Sequence, residues 1–156
     1  MSRHIAKKKF ITVPDPLYSS RLVHMLIIRI LCQGKKHLAH RIVYKALEIV
    51  RERTGKEPLS VLETAIRNAT PLVEVKGKRV GGSTYQVPTE IRAFRGTYLA
   101  LCWITKFARE RSGETMSMKL ANELLDSANA SGNSVKKREE VHKSAEANKA
   151  FAHYRF

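Results

Sequence analysis

The sequence predicts a mainly α-helical protein, a bundle-like body of six helices with one protruding β-hairpin between the third and fourth helices. Apolar residues recur at three- and four-residue spacing in successive stretches, most of them bounded by Gly, Pro or a capping residue. One stretch, residues 72–88, instead alternates with period two around a Gly-Gly pair, which is typical of a hairpin. The 156 residues, 43% of them hydrophobic, suffice for one core. Without an internal repeat or low-complexity linker, a single domain over residues 1–156 is predicted.

The N-terminal segment, residues 1–14, is predicted to be a flexible basic arm. It carries several cations and little core-forming pattern, so it has few apolar groups to offset the entropy of ordering. Pro14 and Pro16 close the arm because proline disfavours helix in the residue before it. The cations of the arm are Arg3, Lys7, Lys8 and Lys9.

Three helices are predicted next. The first begins near Ser19 or Ser20, both good N-cap residues, and stops at Gly34. The second runs from about Leu38 to Gly55, and the third begins at Pro58 and ends before Pro71. Their apolar stripes are Leu22, Val23, Leu26, Ile27, Ile30 and Leu31; then Leu38, Ile42, Ala46, Ile49 and Val50; then Leu62, Ala65 and Ile66.

The hairpin is predicted from two β-prone runs, Leu72–Lys76 and Ser83–Val87, which flank Gly81-Gly82. Pro88 is expected to end it. Three further helices follow, from about Ile91 to Arg111, from a Thr115 cap to Ala128, and from about Ser134 to Asn148, with breaks at Gly113 and Gly132. An aromatic tail, residues 151–156, closes the chain. Within helical apolar runs, Trp103, Cys32 and Cys102 are expected to be core residues.

The charge balance points to a polyanionic partner. The chain has 29 Lys and Arg against 14 Asp and Glu, a net charge of +15. Before Glu48 the only acid is Asp15, against ten basic residues. Of three explanations for this net charge, a nucleic-acid partner is favoured over an acidic membrane and over a role in solubility alone. No apolar run reaches the roughly 18 residues that span a bilayer, and no secretory signal is expected at the N-terminus.

Three basic clusters are candidate phosphate contacts. The hairpin carries Lys76, Lys78 and Arg79, although these could merely protect a solvated edge strand. The turn Gly34–His37 places cations at a helix start, where free N–H groups attract phosphate; a solvent-facing turn is the alternative. Lys136–Arg138 opposes the dipole of the last helix, but Glu139 and Glu140 could satisfy these cations internally. Base stacking is open to Tyr18, Tyr85 and Tyr154.

Signals of catalysis and of cofactor binding are weak. No carboxylate pair lies within a His or Cys cluster, and neither a P-loop nor a dinucleotide-binding glycine motif occurs. His37 and His40 are three residues apart on a predicted helix, but no third metal ligand is evident. We therefore predict no enzyme activity, no cofactor and no metal site.

Several segments resemble the small-subunit ribosomal protein seven family, in the order found in that family and over nearly the whole chain. The most specific are Arg79–Pro88, with the sequence RVGGSTYQVP, and Ala145–Arg155, with the sequence AEANKAFAHYR. The remaining segments are Asp15–Tyr18, Gly34–Lys36, Arg41–Leu47 and Pro71–Val75.

This resemblance implies a structural constituent of the ribosome. Proteins of this family bind the 3′ major domain of 16S-type ribosomal RNA, nucleate assembly of the small-subunit head beside neighbouring head and platform proteins, and extend their hairpin toward the exit-site tRNA and the mRNA. The implied rRNA contacts are Arg3, Lys7, Lys8, Lys9, Lys35, Lys36, His37, Arg92, Arg95, Lys136, Lys137, Arg138, His142, Lys143 and Lys149. The implied hairpin contacts are Lys76, Lys78, Arg79, Gly81, Gly82, Tyr85 and Gln86.

Source and rival functions can also be weighed from the sequence. The bacterial length of the chain suggests a bacterial or organellar ribosome. The Met-Ser-Arg start and Phe94–Thr97 resemble plastid members, so the chloroplast stroma is favoured and the bacterial cytoplasm is the alternative. A DNA-bending architectural protein also combines a helical body with a basic β-arm. An RNA-modifying enzyme would need a cofactor loop or a convergent catalytic set.

Overall fold

The computed structural model describes residues 13–155. Within them it contains the predicted architecture, six α-helices with a two-stranded antiparallel sheet between the third and fourth, so the fold-class prediction is confirmed. The helices are α1 (Arg21–Ile30), α2 (Lys36–Thr54), α3 (Pro58–Ala69), α4 (Ala93–Glu110), α5 (Met116–Ala128) and α6 (Gly132–Ala147); the strands are β1 (Val73–Val80) and β2 (Ser83–Glu90); a C-terminal 3₁₀ helix covers Lys149–Arg155.

The core is built around α5, which contacts α2, α3, α4 and α6. Leu120, Ala121 and Leu124 of α5 are essentially inaccessible to solvent, and burying a leucine of this kind contributes about 1.5–3 kcal/mol. Buried residues of the other helices face this centre; they are Val23, Leu26, Ile27, Val43, Leu47, Val50, Leu62, Ala65, Leu101 and Ile104. The predicted stripe of α2 was partly wrong, because Leu38 is exposed and Ile42 and Ile49 are only half-buried, whereas the unpredicted Val43 and Leu47 are fully buried.

Helix ends agree with the sequence in part. Thr115 caps α5 as predicted, since its hydroxyl accepts a 3.3 Å hydrogen bond from the Met118 N–H. Ser20 occupies the N-cap position of α1 but makes no side-chain capping bond. The first helix ends at Ile30, four residues before Gly34, because the backbone becomes extended at Leu31.

The early end of α1 has a consequence for the cysteines. Cys32 lies in the turn after the helix and is exposed, so its assignment to the core was wrong; Cys102, within α4, is half-buried. Trp103 is also only half-buried and lines a cleft between α4, α6 and the hairpin root.

The hairpin pairs in register from Val73 opposite Glu90 to Val80 opposite Ser83. Gly81 and Gly82 form the turn with φ values of 58° and 90°, a left-handed conformation that glycine adopts without steric cost. Pro88 lies inside β2 opposite Val75, so the prediction that it ends the hairpin was wrong. Both strands of a two-stranded sheet are edge strands, where a residue without an N–H is tolerated.

The root of the hairpin is fixed to the helical body. The imidazole Nε2 of His142, on α6, accepts a 3.0 Å hydrogen bond from the Leu72 N–H. Gly96 allows α4 to pack against the same region, because a Cβ there would lie 2.9 Å from Thr70 Cγ2. The protruding ribbon therefore starts from a constrained base.

The predicted arm, residues 1–14, lies outside the described residues except for Val13 and Pro14. Among the helices found in residues 13–155, none combines the length and apolarity needed to cross a membrane. The sequence predicted only an aromatic tail at the other end, where the structure has the C-terminal 3₁₀ helix packed on β2.

Candidate nucleic-acid interface

The three hairpin cations have different surroundings. Strand alternation places Lys76 and Lys78 on one face and Arg79 on the other. Lys78 Nζ donates a 2.8 Å hydrogen bond to the Tyr154 carbonyl, and Lys76 pairs with Glu74 at 2.9 Å. Arg79 is exposed near the tip and has no ion pair or side-chain hydrogen bond within residues 13–155. Of the three cations, Arg79 is thus the most available to a ligand.

Tyr85 is held by the C-terminal 3₁₀ helix. Its ring stacks on Tyr154, with centroids 5.4 Å apart and planes 27° apart, and lies 5.2 Å from Phe151. Two of the tyrosines proposed for base stacking therefore already contact each other. The neighbouring Gln86, and the Gly81 and Gly82 turn, are exposed.

We expect Tyr85→Ala to loosen the C-terminal 3₁₀ helix. An aromatic pair contributes about 0.5–1.5 kcal/mol beyond area burial, so amides of the 3₁₀ helix such as Phe151 should exchange up to about tenfold faster. Hydrogen exchange measures this effect. Gln86→Ala, a change on the exposed face, should leave the exchange unchanged. Equal exchange in the two variants would contradict a stabilising role for the stack.

An ion-pair cluster lies at the hairpin root. The guanidinium of Arg95, on α4, donates from Nε to both carboxylate oxygens of Glu74 at 2.9 and 3.0 Å, and Nη2 lies 2.8 Å from Oε2. These hydrogen bonds hold the pKa of Glu74 below its ordinary value, against the opposing effect of burial. Arg95 is still half-exposed, while Arg92 is exposed at the N-cap of α4. The cluster orients Arg95 beside the hairpin.

The turn before α2 presents its predicted cations together. Lys35 occupies the N-cap, and Lys36 and His37 lie in the first turn; all three are exposed, and no acid lies in that turn. Cations next to a helix N-terminus are unfavourable unless an anion binds there. Lys35 also lines a cavity of about 250 Å³ with Arg109.

The predicted residues of α6 divide into two groups. Arg138 donates a 2.5 Å hydrogen bond to the Asn68 carbonyl, and His142 accepts the Leu72 N–H, so both hold the fold together. Lys137 pairs with Glu140 at 2.8 Å, the internal pairing that the sequence had suggested. The outward-facing cations are Lys136, Lys143 and, just beyond the helix, Lys149.

Several residues that shape the interface were missed from the sequence. Arg109 donates to the Arg29 carbonyl at 3.2 Å, at the C-terminal end of α1, and the Arg29 guanidinium lies 3.7 Å from the Tyr98 ring centroid. Arg41, Lys45 and Arg51 on α2 were also missed as site residues, although the four-residue spacing of Arg41 and Lys45 on a predicted helix could have revealed that pair. The predicted contacts Arg3, Lys7, Lys8 and Lys9 lie outside the described residues.

Residues 13–155 contain no group of three or more His, Cys, Asp or Glu side chains that could hold a metal ion. The prominent chemistry of the described surface is thus exposed positive charge on a buttressed hairpin, on a helix N-terminus and on α6. Such an arrangement can bind a phosphate backbone without requiring a catalytic group.

Comparison with known proteins agrees with this chemistry. The family model for ribosomal protein S7p/S5e matches residues 1–149. The chain is 64% identical to the small ribosomal subunit protein uS7 of Synechococcus sp. (strain JA-3-3Ab), and 60% and 59% identical to those of Acaryochloris marina and Thermosynechococcus vestitus, over the full length of both chains in each case. The chain therefore belongs to the ribosomal protein S7p/S5e family and is a structural, non-enzymatic protein of the small ribosomal subunit.

Proposed function

We propose that this protein, acting as a single domain, binds the 3′ major domain of 16S-type ribosomal RNA and nucleates assembly of the small-subunit head. The observation that carries the proposal is the distribution of exposed cations around an apolar helical core. Lys35 and Lys36 lie at the start of α2, Lys136 on α6 and Arg79 near the hairpin tip. Cations spread over separate elements can engage several RNA segments and hold them together.

The hairpin takes a second role in this proposal, lining the path of the exit-site tRNA and the mRNA. Its strands of eight residues extend about 25 Å. The root is fixed by His142, and the C-terminal 3₁₀ helix contacts Lys78 and Tyr85 closer to the tip, so Arg79 is presented at the end of a supported ribbon. Leu72 and Phe94, which are 73% and 67% exposed near the root, offer apolar contacts to neighbouring head and platform proteins.

We expect binding to ribosomal RNA to depend steeply on salt. If about six phosphates are neutralised on duplex-like RNA, log K should fall with log salt concentration with a slope of roughly −5. Filter binding of a 3′ major domain transcript across a salt series measures the slope. Duplex DNA of equal length at matched salt is the control, since a DNA-bending protein would prefer it. A nearly salt-independent constant, or a preference for the DNA, would contradict the proposal.

For location we propose a plastid ribosome, with the bacterial cytoplasm as the alternative. The relatives named above come from cyanobacteria, and their source fits either compartment. The proposal therefore depends on the sequence features around Phe94–Thr97. Immunoblotting of purified chloroplast ribosomes from the source organism tests the plastid proposal. A source organism whose cells lack plastids would contradict it and favour the bacterial alternative.

A further inference from the structure

A groove with no assigned role lies between α2 and the segment before α1. It encloses about 540 Å³. Cations line one part of it and aromatic rings another, with a single acid among the lining residues. The cations are Arg41, Lys45 and Arg51, the rings are Tyr18 and Tyr44, and the acid is Glu48.

Among the described residues, 13–155, the three cations of the groove make no ion pair. Arg41 and Lys45 are four residues apart and share a face of α2, where like charges repel by about 0.2–0.5 kcal/mol. All three side chains are exposed, and within residues 13–155 none makes an ion pair or a side-chain hydrogen bond. Glu48 lies three residues from both Lys45 and Arg51 and offsets part of this repulsion, and a bound anion would relieve the rest.

The aromatic part of the groove is preformed. The carboxylate of Asp15, only 1% exposed, accepts the Tyr44 hydroxyl at 2.9 Å and the backbone N–H groups of Leu17 and Tyr18 at 3.1 and 3.2 Å. The two tyrosine rings lie 5.9 Å apart. Burial, with a smaller contribution from the hydrogen bond to Asp15, raises the pKa of Tyr44 to about 12, so its hydroxyl stays protonated and the wall stays in place.

We infer that this groove is a further RNA-binding site, in which Arg41, Lys45 and Arg51 engage one stretch of phosphate backbone while Tyr18 offers its ring to a base. The inference rests on the proposed function, because it assumes that the polyanion is ribosomal RNA. Guanidinium groups match phosphate oxygens in a fork geometry, and aromatic rings accept stacked bases irrespective of sequence. Tyr18 is half-buried against the core, so a base would meet only the part of its ring that lines the groove.

The groove and the hairpin belong to different parts of the fold. The α2 helix packs on α1, α3 and α5, whereas the hairpin packs on α6 and the C-terminal 3₁₀ helix. RNA held in the groove therefore does not need to be the stretch that meets the hairpin. Occupied together, the two sites would join two RNA stretches through one rigid body.

Charge removal tests the inference. The triple variant Arg41→Gln, Lys45→Gln, Arg51→Gln should flatten the slope of log K against log salt by about 2–3, equivalent to roughly 100- to 1,000-fold weaker binding of the 3′ major domain transcript at 0.1 M salt. The matched control neutralises Lys56, Arg67 and Lys106, three exposed cations outside the groove and the hairpin. It removes the same net charge and should change the slope by less than one. Lys45→Gln alone should change it by about 0.7–0.9.

The outcomes separate this inference from the proposed function. An Arg79→Gln variant measured in parallel reports on the hairpin. If the unmodified protein binds the transcript with a steep slope but the groove variant behaves like its control, the groove inference is overturned and the proposed function stands. If the groove variant keeps its affinity for RNA but loses binding to another small-subunit protein, the groove inference is also overturned. If the unmodified protein itself fails to bind RNA, the proposed function fails first.

Discussion

Replacing Glu123 with Ala should destabilise the protein by about 3–5 kcal/mol, the cost of removing one member of a buried ion pair. Glu123 on α5 has a fully buried carboxylate, which pairs with Arg111 Nε at 2.6 Å. The same carboxylate accepts the Ser134 N–H at 3.1 Å and the Ser134 hydroxyl, and so caps the first turn of α6. The substitution would leave the Ser134 N–H without its acceptor and would remove the buried partner of Arg111, which keeps only its pairing with the partly exposed Asp126.

Urea denaturation followed by circular dichroism measures this loss. The control is Asp126→Ala, because Asp126 also pairs with Arg111 but its side chain is 43% exposed and can be replaced by water. The control should cost about 1 kcal/mol or less. Replacing Arg111 and Glu123 together with Met should recover much of the stability. A cost below about 1 kcal/mol for Glu123→Ala would show that water readily enters this site.

Replacing Lys76–Tyr85 with a short neutral turn should abolish retention of exit-site tRNA while most of the protein still enters the small subunit. The substitution removes Arg79 and the Gly81-Gly82 turn, but the buried residues of the helical core lie elsewhere. It also removes Tyr85 and Lys78, which contact the C-terminal 3₁₀ helix. That helix should detach, at a cost of about 1–3 kcal/mol that a native core survives.

Subunits reconstituted with the truncated protein supply both measurements, protein incorporation by quantitative immunoblotting and tRNA retention by filter binding. The matched control is Tyr85→Ala in a full-length hairpin, which loosens the 3₁₀ helix but keeps the ribbon. If subunits with the truncated protein retain exit-site tRNA normally, the proposed role of the hairpin at the exit site is contradicted. Complete loss of incorporation would make the ribbon a primary RNA anchor, contrary to the division of roles proposed here.

Element types were predictable because each depends on local pattern. The stripe Val23, Leu26, Ile27 and Ile30 predicted a helix, and all four residues are buried in α1. Gly81-Gly82 predicted the hairpin turn, since only positive φ values close a two-residue loop of this twist. The residues at which helices and strands end were less predictable. Pro88 terminates a central strand but not an edge strand, and the sequence does not state which kind a strand will be.

Interactions between distant residues were not predictable from local pattern. His142 accepts the Leu72 N–H and Lys78 donates to the Tyr154 carbonyl, two contacts that the sequence did not predict. The role of both residues as ligands for RNA stays a prediction. A lone basic residue has the same appearance in sequence whether its partner is a phosphate or a backbone group 70 residues away. Glu123 left a faint signal, an acid beside Leu124 on an otherwise apolar helix face.

The contact between the hairpin and the C-terminal 3₁₀ helix imposes an order on biosynthesis. Lys149 is translated about 60 residues after Glu90, an interval on the order of 3–12 s. Throughout that interval the ribbon exists without Tyr154 and Phe151, so Tyr85 and Lys78 lack their final neighbours. Residues translated later therefore complete the packing of a segment made long before them, and a nascent chain that stops before Phe151 would carry a correct core with an unfinished ribbon.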